Sequence, residues 1–227
     1  GVHCARPATM SARSNATGST FATISCAAQN ASAFGHAIKS AFSDRSFLCL
    51  FFGFFVCGFH VSFIGTHLPA YIVDLGLAAV IGGWSLGLIG LFNILGSFGA
   101  GWAGQHASKK WTLTLIYTSR AAVIAAFILI PISPTSVYVF SAVMGILWLS
   151  TVPLTMGLVA QTQGLTFLST LVGMVFLSHQ TGSFIGAWLG GRIYDLTGGY
   201  TAMWWAAVAF GLMAALIHMP IREEAGP

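Results

Sequence analysis

The sequence predicts an all-α polytopic membrane protein, and three observations lead there. Of its 227 residues 56% are hydrophobic, while only nine Lys or Arg and five Asp or Glu carry charge. A soluble domain carries charge on about 25% of its residues; this chain has 6%, too little to keep a folded surface in water. A hydrocarbon core of about 30 Å takes about 20 apolar residues per helix, and six such stretches follow one another with short breaks. The net charge of +4 is spread along the chain and forms no Lys/Arg cluster suited to phosphates, so a soluble enzyme and a nucleic-acid binder are both excluded.

Residues 1–33 begin with Gly1 and are rich in Ala, Ser, Thr and Asn, without the basic start and apolar run of a signal peptide. They are expected to be a disordered lead-in or the broken end of a longer product. The four cysteines, Cys4, Cys26, Cys49 and Cys57, form no C-x-x-C pair, so they read as small packing residues rather than a metal site or disulfide framework. No cofactor motif is present. Residues 34–45 place Phe34, Ile38 and Phe42 four apart with Lys39, Asp44 and Arg45 around them; an amphipathic interfacial helix and a plain linker both fit.

The transmembrane domain is read over residues 46–220, with spans at Ser46 to Pro69, Val80 to Ala103, Trp111 to Ile130, Ser136 to Ala160, Leu165 to Leu189 and Tyr200 to Pro220; residues 221–227 form a tail. In the first span Gly53, Cys57, His60 and His67 recur as a small, polar stripe. The second carries Gly83, Gly87, Gly90, Ser97, Gly101 and Gly104 on one predicted stripe, and the fifth carries Ser178, Gly182, Gly186 and Gly190 at every fourth residue. Helices in lipid associate through close backbone approach, which favours such small residues; the stripes fit either sliding contacts or tight static packing. Pro69, Pro131, Pro134 and Pro220 are placed at span ends, whereas Pro153 lies inside the fourth span and predicts a kink there.

Basic residues set orientation. Arg6, Arg13, Lys39, Arg45, Lys109, Lys110 and Arg222 fall on one side of six spans and Arg192 on the other, which predicts that both termini are cytoplasmic. The remaining basic residue, Arg120, lies inside the third span. An arginine at mid-bilayer costs roughly 2.5 to 3.5 kcal/mol on insertion scales, so it needs a partner: an anionic substrate, or a structural one such as a cluster of carbonyls or an acid in a missing half. Asn93 of the second span reads as an interhelical hydrogen-bonder or a ligand, and Trp148, Ser150 and Thr151 precede the proline kink. In the fifth span Gln180 lies about 200° around the helix from Ser178, away from the glycine ladder, and is the candidate cavity residue beside His179.

The turn Gly101-Trp-Ala-Gly-Gln105-His106-Ala-Ser108-Lys109-Lys110 resembles the loop signature of the major facilitator superfamily, with Gln105 in place of its acid and Ser108 in place of its second glycine. The stretch Phe51 to His60 through His67-Leu-Pro-Ala-Tyr71, and Gly182 to Gly191 through Tyr194-Asp195 and Gly198, resemble the seventh and eleventh helices of bacterial relatives of the monocarboxylate and oxalate/formate carriers. The resemblance runs from about residue 36 to the end. It implies the second six-helix half of a twelve-helix secondary transporter of a bacterial cytoplasmic membrane. Such a protein moves a small organic solute, with carboxylates among the candidate classes, by alternating access, as symport or antiport. The expected partners are the lipid bilayer, the solute and a missing N-terminal six-helix half or a second copy. On this analogy the first span lines the cavity, making His60 a candidate for substrate contact or proton coupling, with a packing histidine as the alternative. His60, Gln180, Arg120, Asn93 and Trp148 are the candidate substrate residues. A sensor or non-transporting remnant is a rival reading. So is an intramembrane serine protease, since Gly83-Trp-Ser85-Leu-Gly87 matches Gly-x-Ser-x-Gly; that motif, however, works on a strained strand-to-helix turn, not inside a span.

Overall fold

The computed structural model describes residues 32–223, a bundle of helices joined by short turns. Residues 32–43 form α1, followed by α2 (Arg45–Asp74), α3 (Ala79–His106), α4 (Lys109–Leu129), α5 (Pro134–Leu147), α6 (Thr151–Gln163), α7 (Leu168–Thr197) and α8 (Thr201–His218). Most of the lead-in, with Cys4, Cys26, Arg6 and Arg13, lies outside the described residues, as does the tail beyond Glu223.

Local sequence sets these boundaries. Asp44 separates α1 from α2 because its carboxylate accepts from the Ser46 and Phe47 amides at 2.6 and 3.2 Å, satisfying donors that a helix start leaves free. Ser133 and Ser136 form a reciprocal capping box at the start of α5, with Pro134 at its first turn. Gly76 and Gly198 take φ of +81° and +72° in the turns after α2 and α7, a backbone region costly to other residues. Pro69, expected at a span end, instead lies inside α2, which runs five residues further to Asp74.

α2, α3, α4, the α5–α6 pair and α8 are each long and apolar enough to cross a bilayer. α7 falls below that apolar standard because Ser178, His179, Gln180, Thr181 and Ser183 interrupt its middle, yet at 30 residues it is as long as α2. It lies along α2 in parallel: Ser178 Oγ donates to the Phe51 carbonyl at 2.6 Å, and further along, the His67 Nε2–H donates to Ala187 at 2.9 Å. α8 runs antiparallel to both α2 and α4, pairing Gly53 and Tyr117 with His218 at one end and Phe63 and Phe127 with Trp204 toward the other.

The two glycine stripes behave differently. On α7 the ladder is the packing face: a Cβ at Gly182 or Gly186 would overlap the carbonyl oxygens of Phe55 and Phe59. On α3 the packed row is Gly82, Ser85, Ile89, Gly96, Ala100 and Gly104, one step around from the expected row. Side chains at Gly83, Gly87, Gly90 or Gly101 would meet no described residue within 4 Å. α3 has glycine on two faces, and the helices packed on it select between them: Gly82 meets Pro69 of α2, Gly96 meets the Ile146 carbonyl of α5, and Gly104 meets Leu154 of α6.

Candidate functional site

The fourth span breaks where proline predicts a disturbance. Pro153 is the third residue of α6, within the first turn, where a missing N–H costs nothing. The preceding residues Trp148 to Ser150 leave the regular helix, and in a bilayer every backbone group exposed by such a break needs a partner. Side chains from two other helices supply them. Arg120 of α4, fully buried, donates through Nε at 3.1 Å and through Nη2 at 2.5 Å to the Leu147 carbonyl, and again through Nη2 to the Trp148 carbonyl. From α3, the Asn93 Oδ1 accepts the Leu149 amide at 3.0 Å. Ser150 closes the account by donating its hydroxyl to Ile146. A guanidinium at the C-terminal end of α5 also matches the negative end of that helix's dipole.

The remaining guanidinium contact leads inward. Arg120 Nη1 lies 3.4 Å from the sulfur of Cys57 on α2, and that sulfur lies 3.2 Å from the hydroxyl of Thr151, the first residue of α6. Tyr117, one turn before Arg120, places its ring 5.3 Å from the guanidinium and donates its hydroxyl to the Gly53 carbonyl at 2.8 Å. His179 of α7 packs on α2 nearby, its ring 4.8 Å from that of Phe54. Side chains of α2, α4 and α6 therefore converge on one buried polar cluster at the break. Arg120 and Thr151 were legible as polar residues in spans, and Cys57 as a member of the small, polar stripe of the first; Tyr117 was not, since it reads singly as a packing residue.

The polar stripe of α2 is divided among its neighbours. Gly53 receives the His218 ring, Cys57 meets α4 and α6, His60 turns to α8, and His67 turns to α7. His60 is fully buried, and its Nε2–H donates to the Ala207 carbonyl at 2.8 Å. It lies in the packing between α2 and α8, near Gly211. Gln180 is exposed on α7, and its Oε1 accepts from the Nδ1–H of buried His179 at 3.2 Å. Trp148 is half-buried and its ring edge approaches Gly65 at 3.9 Å from a Cβ position there. The structure thus joins Arg120, Asn93 and Trp148 at the break, pairs Gln180 with His179 on α7, and sets His60 apart. Ser85 is buried, with its hydroxyl donated at 2.7 Å to Ile81 of its own helix. Among the described residues no group of three His, Cys, Asp or Glu side chains is placed to hold a metal ion.

The loop between α3 and α4 is tied to the tail. Glu223 accepts from the Ser108 hydroxyl and, at 2.7 Å, from the Lys109 amide, so its carboxylate caps α4. Lys110 Nζ reaches the Ile221 carbonyl at 3.1 Å and Lys109 Nζ the Gln161 side chain at 3.4 Å, binding the ends of α4, α6 and α8 together. His106 bonds its own helix at Trp102, 2.9 Å away, while Gly101 and Gln105 line a pocket of about 310 Å³ with Lys109 and Pro153.

Comparison with known proteins agrees with this architecture. Residues 5–173 match the family model described as Major Facilitator Superfamily. The chain is 27% identical over 182 residues, 77% of its length, to the uncharacterized MFS-type transporter YcxA of Bacillus subtilis (strain 168), covering 44% of that protein. It is 25% identical over 166 residues, 72% of its length, to monocarboxylate transporter 13 of Bos taurus, covering 38% of that protein. The chain therefore spans less than half the length of these relatives. With the family model matched over most of the chain, and with five candidate membrane spans among helices packed as one bundle, the chain belongs to the major facilitator superfamily.

Proposed function

We propose that this chain forms one wall of a secondary transporter that moves a small organic solute by alternating access, and that the break between α5 and α6 is the joint that moves. The observation that carries the reading is the broken span itself. Its orphaned backbone groups are held by Arg120 and Asn93 from two other helices, so the joint can be pulled or released by movements of α3 and α4. Broken helices near the midplane are where transporters place both their substrates and their moving parts. Arg120 and Asn93 act here as fasteners of the wall, Trp148 and Gln180 are the side chains offered to solute, and His60 locks α8 to α2. The loop Gly101, Gln105, His106, Lys109 and Lys110 acts as the cytoplasmic latch that fixes α4 to the tail.

The other wall is the six-helix half that the longer relatives carry, or a second copy of this chain; the open glycine row of α3 and the exposed face of α7 are the surfaces on which it closes. A carboxylate is the substrate class favoured by the relatives named as monocarboxylate transporters. As a transporter the chain is not an enzyme, and Ser85 belongs to helix packing. The test is uptake of labelled lactate and oxalate into vesicles holding the full-length protein. Concentrative uptake that Gln180→Ala weakens supports the reading; absence of uptake of any small organic acid, with the protein correctly inserted, favours a non-transporting remnant.

A further inference from the structure

At the end of the bundle where α2 begins, a recess of about 780 Å³ opens between α2, the end of α6 and the segment that follows α8. Its lining includes two arginines, Arg45 and Arg222, and the hydroxyl residues Ser43, Ser46 and Thr162. Among the described residues neither guanidinium makes a hydrogen bond or an ion pair. We propose that this recess binds a phosphate group between Arg45 and Arg222.

Both arginines reach out from fixed backbone. Arg45 is the first residue of α2, whose start is held by the Asp44 carboxylate on the Ser46 and Phe47 amides. Arg222 donates its own amide to the Ser46 hydroxyl at 3.1 Å, and the Ile221 before it is buried, with its carbonyl bonded to Lys110 Nζ. A guanidinium is planar, always charged, and matches a phosphate two oxygens at a time. Ser46 adds a third donor: its buried hydroxyl accepts from Arg222 and gives its proton to no described residue, whereas those of Ser43 and Thr162 are spent on the Lys39 and Leu158 carbonyls. The other charges at this end are committed. Asp44 lines the recess, but one of its oxygens already accepts two amides; Glu223 turns to Ser108 and Lys109, and Lys110 to Ile221. Two arginines against one carboxylate leave the recess positive.

The depth of the recess identifies the anion. Arg45 opens one span and Arg222 lies just beyond the end of another, so both stand where a span passes into the headgroup layer. The anionic groups concentrated at that level are lipid phosphates. Leu212, Leu216 and Met219 lie exposed along one face of α8 and its cap, an apolar track for an acyl chain that ends beside Pro220 of the recess. A soluble phosphate ester arriving from the aqueous side presents the same oxygens. Sidedness accounts for basic residues at this end of the molecule, but it does not require two of them to share one recess without an acid paired to either. Cys57 is about 18 Å further along the α2 axis than Arg45, so the seat is separate from the cluster at the break and does not depend on the transporter reading.

Two arms of one experiment distinguish the sources of the phosphate. In the first, inorganic phosphate is titrated by calorimetry into the full-length protein in uncharged detergent. In the second, thermal unfolding is followed in phosphatidylcholine vesicles with and without phosphatidylglycerol. Binding in the first arm supports the seat and shows that a soluble phosphate suffices; a midpoint raised by phosphatidylglycerol without binding in the first arm supports it as a lipid-headgroup site. In either case Arg45→Gln and Arg222→Gln are each expected to weaken the response, about tenfold in the first arm for the loss of one charge-assisted bond. Lys39→Gln, on the neighbouring α1 but outside the recess, is expected to leave it intact. Without phosphate or anionic lipid both arginine variants should unfold with wild type, since neither guanidinium has a described partner to lose. No wild-type response in either arm overturns the seat. So does a response that survives in both arginine variants, or one that Lys39→Gln reduces as much, which would assign it to diffuse surface charge.

Discussion

Arg120 shows how a single residue is interpreted only by what surrounds it. A charge in mid-span must be paired, and its partners here are two carbonyls, a sulfur and an aromatic ring, none of them a carboxylate. Removing it strands the carbonyls of Leu147 and Trp148 in a water-free interior. We expect Arg120→Ala to lower stability by about 3 kcal/mol. Arg120→Lys, which keeps the charge but loses the planar fork, should fall between the two. Thermal unfolding in detergent measures this, and a melting point for Arg120→Ala equal to wild type would show that the joint does not depend on the arginine. Asn93 offers a gentler case, since it satisfies one amide. Asn93→Ala is expected to cost about 1 kcal/mol; a melting point equal to wild type would remove the Leu149 bond as a contributor.

Among the helices, α7 and α3 carry the same kind of glycine pattern with opposite outcomes. Adding a methyl at Gly182 drives a carbon into the Phe55 carbonyl, and neither backbone can yield without parting α2 from α7. Gly182→Ala is therefore expected to destabilise the chain by about 1 to 3 kcal/mol. Gly87→Ala, on the open row of α3, should leave the stability of this chain unchanged and gain a little in helix propensity. Measured side by side by unfolding in detergent, a loss at Gly87 equal to that at Gly182 would mean that α3 packs on the row the structure leaves open. The kink at Pro153 was legible because proline has no N–H to give; its resolution into two helices pinned by α3 and α4 was not, because the pins are 33 and 60 residues away in sequence. The same limit hid the partners of α7: Leu165 to Leu189 was legible as an apolar span, but the hydroxyls of Ser178 and Ser183 within it are satisfied by α2, which no sequence window sees.

For the whole molecule, the packing collects Lys109, Lys110, Arg222 and the start of α2 at one end, and places Arg192 near the other end of α7. That distribution, read with the bias of basic residues toward the cytoplasm, predicts sidedness. A cysteine introduced at Lys110 should react with a membrane-impermeant maleimide only in inverted vesicles, and one at Arg192 only in right-side-out vesicles. The reverse pattern would invert the topology. Glu223 adds a second expectation at this scale, because it caps α4 from the far end of the chain: Glu223→Gln should loosen the tail and raise its cleavage by protease from the same face as Lys110, with little change in the spans.

Composition and periodicity determined by themselves that this chain lives in a membrane, which span would break and which turn resembles the superfamily's loop. Those properties depend on how many apolar residues are consecutive and on which residues lack a donor, and both are written along the chain. Only the tertiary structure decided which glycine row is buried, that Arg120 and Asn93 serve the same break, that His60 faces α8, and that Cys57 stands between Arg120 and Thr151 beside the joint. The periodicity of a helix fixes the angle at which a side chain leaves its axis; what stands opposite is fixed by where the other helices pack.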